Sequence, residues 1–161
     1  MSVEKMGYEI NRRVVKIMNN RYVTETIGGK TYTFRSLFER DWALYLQLLK
    51  EQKQILNWFY EQAVYYFPNE KTAPVQYTPD FTVIDKDGYT YIQETKGWHD
   101  GKTNTKLRRM AKYYPDLPIE LVLMRIPKKG GKGAHRRAIA AKYARRVIDA
   151  SEIFRQVKGL I

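Results

Sequence analysis

The stretch Tyr77 to Gly97, YTPDFTVIDKDGYTYIQETKG, decides how the rest of the chain is read. Phe81, Val83 and Ile84 are strand formers, Asp85-Lys86-Asp87-Gly88 is turn material, and Tyr89 to Thr95 is again β-rich. An Asp-Gly pair between two such runs predicts a β-hairpin with Asp87 and Gly88 as its loop. That loop sets residue 80 opposite residue 95, so Asp80 falls beside Glu94. Side chains alternate faces along a strand, so Glu94 and Lys96 share a face while Thr95 points away. Two carboxylates and an ammonium are expected to converge.

Other acid-x-Lys triplets exist. Glu51-x-Lys53 lies in a helical segment and Asp100-x-Lys102 in a loop, so neither is held rigidly beside Asp80. Pro115-Asp116 has no such triplet after it. Hairpin geometry therefore selects Glu94 and Lys96. The competing structural reading is an exposed cross-strand charge cluster, a surface device of little energy.

The chain as a whole narrows the partners. Its 161 residues suit one domain, and 43% hydrophobic with 14% aromatic residues is the composition of a folded protein. With 29 Lys and Arg against 17 Asp and Glu the formal charge is +12, which favours a polyanion such as DNA over a membrane. Zero cysteines exclude disulfides, thiolate zinc sites and cysteine nucleophiles. No apolar run reads as a signal peptide or a bilayer span, so a soluble cytoplasmic protein is expected.

Upstream, Ile10, Val14, Ile17 and Met18 are at helical spacing within an N-terminal arm of about 20 residues, and 21–34 reads as a small hairpin around Gly28-Gly29. Ser36 begins the strongest helix: it is an N-cap residue with Glu39 three positions on, before an apolar face through Trp42, Tyr45 and Leu49. The S-x-x-E spacing fully explains Glu39 as a capping carboxylate; its sharper reading is a third acid at the edge of the site. Ile55 to Phe67 suggests one or two aromatic-rich strands, and Pro68 to Gln76 a loop.

Downstream, Trp98 to Thr105 reads as a polar loop, Lys106 to Tyr114 as a basic helix, and Ile119 to Ile126 as a buried strand beside the Glu94 strand. Strand, helix and strand in succession predict a right-handed crossover, hence a partly parallel sheet. The expected fold is α/β, a mixed central β-sheet flanked by helices. From Pro127 a basic extension carries Lys128, Lys129, Lys132, Arg136, Arg137, Arg145 and Arg146, and one helix with an apolar face of Ile139, Tyr143, Val147 and Ile148. This density of cations predicts phosphate contact. The glycine-rich segment lacks the Lys-Ser/Thr ending of a nucleotide-binding loop, which excludes ATP binding on that motif.

Thr78-Pro79-Asp80-Phe81 and Gln93-Glu94-Thr95-Lys96-Gly97 make the chain resemble the PD-(D/E)xK nuclease superfamily. It is similar, more closely, to a small phage and prophage family of nuclease-like proteins in which a glycine-turn hairpin precedes a Ser-x-x-Glu helix. Those features are Thr31-Tyr32-Thr33-Phe34-Arg35-Ser36-Leu37-Phe38-Glu39, Leu46-Gln47-Leu48-Leu49 and Ile55-Leu56-Asn57-Trp58, and the likeness runs from about Val23 to Ile126. The resemblance implies a restriction-endonuclease-like core and a phage DNA-processing endonuclease. It further implies Mg2+, with Mn2+ substituting, held by Asp80, Glu94, the Thr95 backbone carbonyl and Glu39, with Lys96 orienting or deprotonating the attacking water. Thr95 stands where the superfamily usually has Val or Ile, and Gln93 replaces a more usual apolar or acidic residue; neither removes a catalytic group. Lys102, Lys106, Arg108 and Arg109 are expected to grip phosphates beside the cut, and a homodimer is the expected form if both strands are cut. The rival expectation is a nucleic-acid-binding accessory protein without catalysis.

Overall fold

A computed structural model describes residues 22–128, 131 and 133–161. The expected N-terminal helix through Ile10 and Ile17, and the cations Lys129 and Lys132, lie outside the described residues.

The first element is the expected hairpin, β1 (Val23–Ile27) and β2 (Lys30–Phe34). Ile27 pairs with Lys30, leaving Gly28 and Gly29 as the loop at φ 58 and 81, the left-handed pair that a two-residue turn requires. Ser36 then caps α1 (Leu37–Glu51), its Oγ accepting from the Glu39 N–H at 3.1 Å. Phe38, Trp42 and Leu46, spaced four apart, bury one face of that helix.

A five-stranded mixed sheet forms the centre. In spatial order it is β3 (Ile55–Tyr60), β6 (Phe81–Asp85), β7 (Thr90–Lys96), β8 (Ile119–Leu123) and β9 (Arg146–Asp149). β6 runs antiparallel to both of its neighbours, β3 and β7, whereas β7, β8 and β9 are parallel. A separate short pair, β4 (Tyr65–Tyr66) and β5 (Gln76–Tyr77), precedes β6. The parallel strands are joined through α2 (Gly101–Tyr113) and α3 (Ala134–Tyr143), and α4 (Ala150–Gln156) follows β9. The mixed α/β sheet flanked by helices is thus as expected.

Both sheet faces are covered. Phe81, Val83, Tyr91 and Val122 pack with α1 and with Ala150 and Phe154 of α4. Ile92, Leu121 and Leu123 pack on the other face with Leu107 and Met110 of α2 and Ala140 of α3. All five residues of β8 are buried, as a parallel strand covered on both sides must be. Among the described residues no helix is long and apolar enough to cross a membrane.

Three local expectations are corrected. The β6–β7 loop is Lys86-Asp87-Gly88 rather than Asp87-Gly88, because Asp85 N–H donates to the Tyr89 carbonyl at 2.9 Å and Gly88 N–H to the Asp85 carbonyl at 3.0 Å. The Asp85 side chain fixes this turn by accepting from Asp87 and Tyr89 N–H, and Gly88 takes φ 90. Phe81 accordingly pairs with Gln93, and continuing that register brings Asp80 level with Glu94 instead of Thr95. Next, α2 begins inside the expected polar loop, since Asp100 caps it through Thr103 N–H at 2.9 Å and Thr103 Oγ1 at 2.8 Å. Finally, the basic tail is part of the core. Its expected single helix stops at Tyr143, and Val147 and Ile148 form β9 against Leu121 and Val122, where β-branched side chains fill the sheet face.

Candidate active site

Asp80, Glu94 and Lys96 meet at the end of the β6–β7 pair. Lys96 Nζ lies 2.9 Å from Glu94 Oε1, and Lys106 Nζ reaches the same oxygen from α2 at 3.4 Å. The other Glu94 oxygen accepts from the Tyr77 hydroxyl at 2.8 Å, and the Lys106 ammonium stands over the Tyr77 ring, 5.1 Å from its centroid. Asp80 Oδ2 accepts from both the Thr95 N–H and the Thr95 hydroxyl, each at 2.7 Å. Asp80 is 7% exposed and Glu94 2%, so the exposed-charge-cluster reading fails: these acids have left water.

Burial shapes their protonation. It pushes the Asp80 carboxyl up to about 7, aided by the Glu94 charge and, more weakly, that of Glu39, against the opposing hydrogen bonds from Thr95. Burial likewise carries the Tyr77 phenol well above its ordinary value, with Glu94 and Asp80 adding to the effect, so it stays a donor. Lys96 is half-buried, which works to lower it. The Glu94 charge and hydrogen bond, followed by Asp80 and Asp100, outweigh that cost and raise it, so Lys96 holds its proton.

Glu39 anchors the start of its own helix. Its Oε2 accepts from Arg35 N–H at 2.9 Å and from the Tyr60 hydroxyl at 2.6 Å, which ties the start of α1 to β3. It also shares with Thr95, Lys96 and Met124 an open cleft of about 480 Å³. Among the described residues no three His, Asp or Glu side chains gather as a metal-holding group. Asp80 and Glu94 therefore stand as a pair with Glu39 at the cleft edge.

That pair suits a hard divalent cation. Its donors are carboxylate oxygens, and a cation would oppose the burial and the Glu94 repulsion that together raise Asp80. Mg2+ keeps several waters, so two carboxylates and a backbone carbonyl such as that of Thr95 make an adequate protein share.

The described cations expected to bind phosphate are not equivalent. Lys102, Arg108, Lys128 and Arg136 are exposed, Lys106 turns inward to Glu94, and Arg137 lines a small pocket with Trp98 and Arg125. Arg109 is a correction: it is buried and binds the Thr72 carbonyl at 2.8 Å, the Thr72 hydroxyl at 3.0 Å, the Pro74 carbonyl, and Glu70 at 3.4 Å. It fastens the loop before β5 onto α2, so its guanidinium does not face a ligand. Arg145 and Arg146 are likewise engaged, both with the buried Glu120.

Sequence reasoning missed Tyr77, Tyr60 and Arg35 as site residues. Arg35 pairs with Glu61; although desolvation works to lower its pKa, Glu61, Tyr60, Asp80 and Glu39 raise it. Tyr77 carried a usable signal, standing three residues before Asp80 at the start of the deciding stretch. No family model matches the chain, and neither a curated protein nor a solved structure does.

Proposed function

We propose that this protein is a Mg2+-dependent endonuclease that hydrolyses DNA phosphodiester bonds, built on a restriction-endonuclease-like core of the PD-(D/E)xK kind. One observation carries the reading: two buried carboxylates, Asp80 and Glu94, lie together with Lys96 2.9 Å from Glu94, and burial, with the Glu94 charge adding to it, pushes Asp80 up to about 7. A binding protein gains nothing from buried acids that repel phosphate unless a cation joins them.

Asp80 and Glu94 would hold the ion, with the Thr95 carbonyl beside them. When bound, Mg2+ or Mn2+ lowers the pKa of a water and offsets charge on the scissile phosphate. The Thr95 N–H and hydroxyl fix the orientation of Asp80, while Tyr77 and Lys106 fix that of Glu94. Lys96, which keeps its proton, orients the attacking water and faces the charge that grows on the phosphate. Lys102, Arg108, Lys128 and Arg136 supply sequence-independent phosphate contacts, in keeping with a formal charge of +12.

The test is cleavage of plasmid and linear DNA by pure protein with Mg2+, Mn2+ or EDTA. Metal-dependent cutting that disappears in Asp80→Ala, Glu94→Ala and Lys96→Ala, with DNA retention preserved, is the expected result. DNA retention without metal-dependent cutting would assign the accessory-protein reading instead.

A further inference from the structure

The cleft beside Lys96 has a second character that phosphodiester chemistry does not use. Along one side lie Glu39, Thr95 and Lys96; its other walls are Leu37, Phe38 and Met124. Leu37 is 45% exposed and Met124 38%, so two large apolar side chains stand open to water within the cleft that holds the proposed catalytic lysine. An enzyme reading only the backbone would have polar or cationic walls here, because duplex DNA presents phosphates and sugars to a surface of this kind and keeps its bases stacked.

The surroundings of the slot are cationic. Arg125 follows Met124 directly in the chain and lines the neighbouring cleft of about 330 Å³ with Ser151 and Arg155. The Ser151 N–H donates to the Met124 carbonyl at 3.0 Å, which holds the start of α4 against this wall. Lys96 thus lines the slot itself beside Glu39, and Arg125, next to Met124 in the chain, lines a second cleft with Arg155, so cations accompany the apolar walls. Apolar walls beside cations fit a flat, weakly polar ring carried on a chain of phosphates. They do not fit an apolar peptide, which has no use for the accompanying charges. At about 480 Å³ the slot falls within the roughly 300–1,000 Å³ of small-ligand sites, room enough for one nucleotide.

We propose that this slot receives an unpaired nucleobase of the strand being cut, so that the substrate class is single-stranded DNA or a duplex with an unpaired segment at the cut. The proposal rests on the nuclease reading for its substrate chemistry and narrows it. Leu37 and Met124 hold the base by removing apolar surface from water, while Lys96 and Arg125 hold the phosphates on either side. A fully paired base must first be extruded, at a cost of a few kcal/mol, so it enters poorly.

The test is binding in EDTA, which needs no catalysis: fluorescence anisotropy with a labelled oligonucleotide and with its blunt duplex. The single strand is expected to bind about tenfold more tightly, the reverse of the order set by charge density alone. The double variant Leu37→Ser with Met124→Ser, at two solvent-exposed positions, should lower single-strand affinity about tenfold and leave duplex affinity within about twofold. Equal binding of the two DNAs by the wild type, or equal weakening of both by the variant, overturns the slot. Metal-dependent cutting of duplex as fast as single strand would overturn it while leaving the nuclease reading intact. Single-strand preference without any cutting would do the opposite.

Discussion

Two carboxylates lie buried in this sheet on either side of β7, and burial drives both upward in pKa, yet they end in opposite states. Glu120 of β8 is fully enclosed. Its Oε1 accepts from Arg145 at 2.8 Å and Arg146 at 2.9 Å, and its Oε2 from Gln93 at 2.8 Å, whose own oxygen accepts from Trp42 Nε1 at 2.8 Å. Desolvation works to raise Glu120, but Gln93, Arg146 and Arg145 overcome it and hold the acid below its ordinary value. Asp80 has hydrogen bonds from Thr95 alone and a second acid as its neighbour, and it rises to about 7. A buried acid with its donors and cations in place is architecture; one that burial and a second carboxylate's charge both push upward suits a bound cation.

That contrast is open to attack from both sides, and the largest expected effect is on catalysis. Asp80→Asn keeps the shape and removes a carboxylate, so the proposed metal-dependent cutting should fall by about a thousandfold or more in a plasmid-nicking assay, some 4 kcal/mol of transition-state stabilisation. The same variant should melt higher than wild type in EDTA at alkaline pH, because it removes a charge that burial disfavours. Glu120→Ala should do the reverse. It leaves the Gln93 amide N–H group without its acceptor in the core and frees two arginines, so thermal unfolding should show a loss of about 3 kcal/mol with specific activity retained in the folded fraction.

The pH dependence should separate the two acids next. Asp80 is raised from 3.8 to about 7, so its protonated form favours the fold. That contribution is complete below the unfolded value and is lost as pH climbs through about 7, with a slope of up to about 1.4 kcal/mol per pH unit. Glu120, held low, contributes above its unfolded value and loses that contribution as pH falls. Melting curves in EDTA should therefore show wild type losing stability toward alkaline pH and Asp80→Asn losing less. A smaller effect is expected at Tyr77, whose hydroxyl only positions Glu94. Tyr77→Phe should cut about tenfold more slowly and melt within about 1 kcal/mol of wild type.

How far the chain could be read without coordinates follows from whether a residue's partner is local. Asp80, Glu94 and Lys96 were legible because a hairpin places them by alternation and turn chemistry, both properties of adjacent residues. The register slipped by one because the Asp85 side chain, rather than the Asp-Gly pair, sets the turn. Ser36 was legible as a cap for the same local reason. Arg109, Arg145 and Arg146 were not, since their partners are Thr72 and Glu70 in one case and Glu120 in the other, each at least 25 positions away in the chain. A signal did exist: Glu120 sits alone inside the apolar run IELVL, and a buried acid there demands cations from somewhere. The tail strand was hidden by its shortness and by helical spacing that continued through Tyr143 into Val147.

The central claim, that Asp80 and Glu94 form a divalent-cation site, is tested most directly by titrating Mn2+ into the pure protein and following the free ion by electron paramagnetic resonance. Saturable Mn2+ binding that disappears in Asp80→Asn and in Glu94→Gln, persists in Glu120→Gln and is displaced by Mg2+ is the predicted result. Binding left unchanged by the Asp80 and Glu94 substitutions, or no saturable binding by the wild type, would contradict the account.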